Sequence, residues 1–162
     1  MLKNIAIAGL ILIASIAPGF AKNLAVPAKD PIATLAIPDS WKPNAIEYGY
    51  AAKSPDGDVF FAVEYATEAR IEKMFATNKT WMKENKIVTK GDAAEKVTEL
   101  GGLPAKIFTY QATDENGETQ IDFVTIAAGK QLIMITLWAS TAEREANKDD
   151  IIAIQKSLKA IN

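Results

Sequence analysis

The segment from Gln131 to Ser140 is apolar on both of the faces that a β-strand presents. Side chains alternate across a strand, so Leu132, Met134 and Trp138 share one face while Ile133, Ile135 and Leu137 share the other. A strand of this kind has no side to turn to water. It requires structure above and below it, which places it near the centre of a sheet with a cover on each face. The segments before it are joined by tight turns. Asp114-Glu115-Asn116-Gly117 separates Ala105–Ala112 from Thr119–Ala128, and Gly129-Lys130 leads into Gln131. Turns this short reverse the chain, so these three strands are antiparallel neighbours.

The covers come from two helical stretches. Glu68 to about Lys86, with Thr67 as its N-cap, places Ile71, Met74, Phe75, Trp81 and Met82 on one arc at helical period. Asn78 and Asn85 fall inside that arc, where hydration at a helix end or a bond to a neighbouring loop accounts for them. A second helix, Lys148 to Ala160, is expected to bury Ile151, Ile154, Leu158 and Ile161. Earlier in the chain, a short strand at Thr34–Ile37 stops at Pro38-Asp39. A hairpin then joins Ala45–Ala52 to Val59–Tyr65 through Ser54-Pro55-Asp56-Gly57. Ala93–Leu100 is charged enough to be an edge strand, and Gly101-Gly102-Leu103-Pro104 turns the chain after it. The architecture expected is α+β: an antiparallel β-sheet sandwiched between helices.

The first residues read differently. Lys3 precedes an apolar run from Ile5 to Ile16, Pro18-Gly19 breaks it, and Gly19-Phe20-Ala21 offers small residues at the −3 and −1 positions of a cleavage site. Residues 1–21 are read as a secretory signal peptide, cut between Ala21 and Lys22. Residues 22–33, with Pro27 and Pro31, are read as an extended leader, and residues 34–162 as a single α+β domain. The expected location is periplasmic or secreted. The apolar run is shorter than the roughly 20 residues of a spanning helix, so no stable membrane anchor is expected after cleavage.

Composition excludes much chemistry. The chain has no Cys and no His, which removes disulfides, thiol catalysis, imidazole ligands and His-dependent triads. Its 18 basic and 20 acidic residues give no electrostatic case for nucleic acid. Ser54, Ser140 and Ser157 have no Gly-x-Ser-x-Gly setting. The acidic groups Asp56/Asp58 and Asp114/Glu115/Glu118 fall on turns, and they lack the ligand alternation of an EF-hand loop. No metal, no cofactor and no enzymatic activity are expected.

Three short motifs, taken in order, resemble the PsbP-like fold family, which includes the extrinsic PsbP subunit of photosystem II and DcrB-like bacterial exported proteins. They are Ile37-Pro38-Asp39-Ser40-Trp41-Lys42, Gly101-Gly102-Leu103-Pro104-Ala105 before a strand, and Ile151, Ile154 and Ser157-Leu158 on the last helix. The likeness spans residues 32–161. It implies a non-enzymatic accessory protein, chaperone- or assembly-factor-like, that acts by protein–protein binding with an unidentified partner in the cell envelope. The chain lacks the lipoprotein Cys of the DcrB-like group and any metal-ligating His, which argues against membrane tethering and metal binding.

A binding protein without reactive groups must use a surface or a pocket. Aromatic residues dominate interface hot spots, so Trp41 with Tyr48, Tyr50 and Phe61 on the first hairpin is the contact patch expected from sequence. Trp81 and Trp138 are expected in the core. The alternative is a carrier holding a small apolar ligand between sheet and helix. If the export reading is right, the intact mass of the secreted protein corresponds to a chain beginning at Lys22. Residues 1–21 retained in a membrane fraction would contradict it.

Overall fold

In a computed structural model, the described residues run from Ala21 to Ile161. The apolar run read as an export signal lies outside them. Eleven strands and three helices follow in the order β1 (Ala21–Val26), β2 (Ala33–Pro38), β3 (Asn44–Ile46), β4 (Gly49–Lys53), β5 (Phe60–Thr67), α1 (Ile71–Glu84), β6 (Val88–Thr89), β7 (Ala94–Leu100), β8 (Leu103–Asp114), β9 (Gly117–Ala128), β10 (Gln131–Ala139), α2 (Thr141–Ala146), α3 (Lys148–Ser157) and β11 (Lys159–Ala160). The large sheet runs β3-β4-β5-β10-β9-β8-β6, with β7 also paired to β8, and every pairing in it is antiparallel.

The two-faced strand takes the central place its composition demands. Ile133, Ile135 and Leu137 of β10 join a core that also holds Val59, Phe61 and Val63 from β5, and Ile154 and Leu158 from the α3 end. On the opposite face Leu132 and Met134 meet Met74 of α1, and Trp138 meets Trp81. The sheet therefore lies between helices, as expected. One cover is compound, because α3 works with a small sheet of order β1-β2-β11 whose Leu24, Val26, Leu35 and Ile37 enter the same core.

Several local expectations are corrected. Residues 22–33 are not a leader, because Ala21–Val26 pairs along its whole length with β2 and buries Leu24 and Val26. The last helical region is two helices followed by a strand. Ser140 caps α2 in a reciprocal box with Glu143, which places a helix start seven residues before Lys148. The chain then leaves α3 at Leu158 to pair β11 with β2, so Ile161 is exposed rather than buried. Thr67 makes no side-chain cap; a 3-10 turn at Glu68–Arg70 leads into α1 instead.

Two contacts lock the layers. Gly101, at φ +60°, brings the β7–β8 turn against the C-terminal segment. A Cβ there would lie 2.7 Å from the Leu158 carbonyl oxygen, so no other residue fits. Arg144 of α2 donates to Asp122 of β9 at 2.5 Å and to the carbonyls of Gln120, Leu137 and Ala139 at 2.9–3.0 Å. One guanidinium thus ties α2 to two neighbouring strands, a planar fork that lysine does not reproduce.

Integration of β1 has a direct test. Leu24→Ala is expected to destabilise the protein by about 2–5 kcal/mol in denaturant unfolding, the cost of emptying a well-packed leucine site. An unchanged midpoint would restore the leader reading.

Candidate functional site

Trp41 and the hairpin residues Tyr48, Tyr50 and Phe61, expected to form a contact patch, do not form one. The 3-10 turn Asp39–Trp41 carries the Trp41 indole inward. It is 1% exposed, and its Nε1 donates to Asp150 of α3 at 2.9 Å. Phe61 is buried in the same core. The segment read as one strand, Ala45–Ala52, is a tight hairpin that turns at Glu47-Tyr48. Strand alternation therefore does not carry through it. Tyr50 packs toward the α3-side core, whereas Tyr48 packs beneath α1 against Ala66, Met74 and Met134. Only Tyr50 is part-exposed, and one half-buried ring is not a patch.

The acidic turns are occupied by their own donors. The Asp56 carboxylate accepts from the Ser54 hydroxyl, from the Asp58 amide at 3.1 Å and from the Asn147 amide group at 3.1 Å. The Ser54 bond first, and then that of Asn147, hold its pKa below the ordinary value. Asp114 accepts from the Asn116 amide at 2.7 Å and the Trp138 indole at 3.1 Å, while Glu115 and Glu118 pair with Lys86 and Lys90.

Beneath α1 lies a polar cluster that the sequence reading did not identify. Asn78 projects from the buried face of the helix and donates to Glu64 of β5 at 2.8 Å and to the Met74 carbonyl at 3.1 Å. Its partner is thus a strand carboxyl rather than a loop or water; Asn85, by contrast, bonds the Trp81 carbonyl at the helix end. Glu64 is only 4% exposed, and desolvation raises its pKa, an effect the Asn78 bond partly offsets. The Tyr48 hydroxyl nearby is buried without a partner. These groups line a cavity of about 200 Å³ with Ile46, Phe60 and Trp81. A single carboxyl with an amide partner offers hydrogen bonding, not acid–base pairing.

The most open feature is a groove beside α1. The helix packs mainly over β5 and β10, and only its C-terminal Trp81 and Met82 reach the cluster of Ala112 and Ile121 on β8 and β9. Trp81 stacks on Phe60 with ring centres 4.6 Å apart and meets the Trp138 ring edge-on at 5.6 Å. Strands lie about 4.8 Å apart, whereas one helix with its side chains is roughly 10–12 Å across. A single helix therefore covers little more than two strands of this sheet. The β8–β9 half is left with Phe108, Tyr110, Phe123 and Thr125 half-buried as a floor. Phe75, 43% exposed, and Met82 form the helix-side wall of a slot of about 300 Å³. The slot continues into a wider trough of about 930 Å³, bordered by Lys79, Lys83, Lys86 and the short strand β6. No Asp or Glu lines either part.

No family model and no curated protein matches the sequence. Solved structures do match. The cyanobacterial PsbP protein (CyanoP) of Synechocystis sp. PCC 6803 superposes with a TM-score of 0.61 at 8% identity, over 91% of this chain and 96% of that one. The fold is PsbP-like. LpqN of Mycobacterium tuberculosis, described as involved in cell envelope biogenesis, gives a TM-score of 0.58 at 13% identity, over 88% of this chain and 91% of its own. A protein from Bacteroides thetaiotaomicron VPI-5482 gives 0.53 at 9% identity, over 80% of this chain and 45% of its own. At these identities the likeness is one of fold.

Glu64 makes the fold sensitive to pH in a defined direction. Its folded pKa is raised above the ordinary 4.5, so between those two values the folded state holds a proton that the unfolded state has released. Glu64 therefore stabilises the fold least once pH exceeds its folded pKa, and its penalty vanishes below about 4. Glu64→Gln keeps an acceptor for Asn78 and should raise the melting temperature at pH 7, with the gain disappearing near pH 4. A gain of equal size at both pH values would show that Glu64 does not titrate out of register with the unfolded chain.

Proposed function

We propose that this chain is an exported, non-enzymatic accessory protein of the cell envelope, and that it works by holding a small apolar ligand in the groove beside α1. The observation that carries the reading is the half-buried aromatic floor of Phe108, Tyr110 and Phe123 beside a helix whose main packing is against β5 and β10. Soluble domains seldom leave contiguous apolar surface in a concave site without using it. A slot of about 300 Å³ lies at the lower end of the range for small-molecule sites, roughly 300–1,000 Å³.

Burial of Trp41, Tyr48 and Phe61 takes away the surface first expected to meet a protein partner. An envelope partner then acts as donor or acceptor of the ligand rather than as a clamp on that hairpin. Export rests on the signal-like first residues. Among the described residues no helix is long and apolar enough to cross a membrane. The envelope role of LpqN, at the same fold, is compatible with this setting.

Nile red, a neutral apolar dye, tests the site. Its fluorescence should rise on addition of the protein. Phe75→Ser, which changes a residue already 43% exposed, should weaken binding about five-fold, or ~1 kcal/mol, with little change in melting temperature. No enhancement with the wild type would overturn the carrier reading, and equal enhancement by the variant would place the dye elsewhere.

A further inference from the structure

The groove carries charge as well as apolar surface, and the two are arranged unequally. Phe75 and Phe108 line only the narrow slot, whereas Lys83 and Lys86 border only the adjoining trough. Lys79, Met82, Tyr110 and Phe123 line both parts, so the apolar floor and the lysine border meet there. The whole chain is acidic, with net charge −2, yet no carboxylate lines either part of the groove. Lys86 has Glu115 as a partner, but among the described residues Lys79 and Lys83 have no carboxylate within ion-pair distance.

The spacing sharpens the point. Lys79 and Lys83 are four residues apart on α1, so their ammonium groups share one face of the helix and repel each other. An anion placed between them converts that repulsion into two charge-assisted hydrogen bonds. The long lysine stems can follow the apolar wall while their heads stay at the water boundary, where an amphiphile keeps its polar end.

We propose that the occupant is a single-chain anionic amphiphile, with its alkyl chain on the Phe108–Tyr110–Phe123 floor and its anionic head between Lys79 and Lys83. This rests on the carrier reading and adds the chemistry of the head. The narrow slot suits one alkyl chain. The face of a folded partner would instead need about 800 Å² on each side, far more than a groove this narrow offers. A neutral apolar ligand would use the floor and leave both lysines merely hydrated, so the head group is where the two ligand classes part.

Nile red displacement below micelle-forming concentrations separates them, using laurate, its neutral monoglyceride and dodecyltrimethylammonium. Laurate should bind about tenfold or more tighter than the monoglyceride, and the cationic detergent weakest of the three. The preference should shrink as salt is raised, because the heads lie at the solvent boundary. The double variant Lys79→Gln/Lys83→Gln should lose the preference while binding the monoglyceride and Nile red as the wild type does; Lys79→Arg/Lys83→Arg should keep it. Equal affinity of wild type for laurate and monoglyceride would overturn the head-group inference and leave the carrier reading intact. Failure of all three amphiphiles together with Nile red would overturn both. A preference that survives in the glutamine variant would remove Lys79 and Lys83 as its cause. Tight binding of an acidic apolar peptide with none of laurate would replace the amphiphile with a protein segment.

Discussion

Burial of β10 on both faces is the constraint on which the rest of this molecule depends. A strand with Ile133, Ile135 and Leu137 on one side and Leu132, Met134 and Trp138 on the other cannot lie at an edge or face water. It must pair on both sides, and it does so with β5 and β9. It must also be covered twice. The two covers are unequal. On one face α3 and the small β1-β2-β11 sheet together cover a large core, whereas on the other, among the described residues, α1 is the one helical cover. The groove is the geometric remainder of that inequality, the part of a wide sheet that one helix cannot reach.

What holds α1 on the β5 side is a mixture of apolar and polar contact. The Phe60–Trp81–Trp138 cluster supplies an aromatic anchor near the end of the helix, and Met74 packs into the cluster with Tyr48 and Met134. Between them the Glu64–Asn78 bond crosses from strand to helix in a buried setting. A buried polar pair adds little net stability, but a mispositioned one is costly, because the buried Glu64 carboxyl would lose its Asn78 donor. The pair therefore penalises sliding of α1 toward β8 and β9. In that sense the polar cluster defends the open half of the sheet.

Much of this was legible in the sequence, and the misses have physical causes. The two-faced strand, the Asn-Gly hairpin and the helical period of α1 are local signals that tertiary structure kept. β1 has little local signal, because its alternation is only two apolar residues long, Leu24 and Val26, and is followed at once by Pro27 and then Pro31. The Glu47-Tyr48 turn has Gly49 beside it but no Pro or Asn within it, and reading through it aligned Tyr48 with Tyr50 although they serve opposite faces. The start of α2 did leave a trace, the Ser-x-x-Glu spacing of Ser140 and Glu143. Arg144 left none, because its acceptors are mostly carbonyls of strands brought beside it by folding.

The candidate site was illegible for a deeper reason. Phe108, Tyr110 and Phe123 read as ordinary inward residues of a meander, and each would be so if α1 lay over β8 and β9. Whether they are core or floor depends on the sideways position of one helix, which no local pattern encodes. The lysines carry the same ambiguity: Lys79 and Lys83 on an exposed helix face are unremarkable until an apolar slot is found beside them. Once helix position is known, both sets acquire meaning together. On the carrier proposal the aromatic rings would take an apolar chain, and Lys79 and Lys83, without a carboxylate partner among the described residues, would set the sign of its head. A fold shared with CyanoP and LpqN thus constrains where a groove can form, while the side chains that α1 and β8–β9 present to it decide what it can hold.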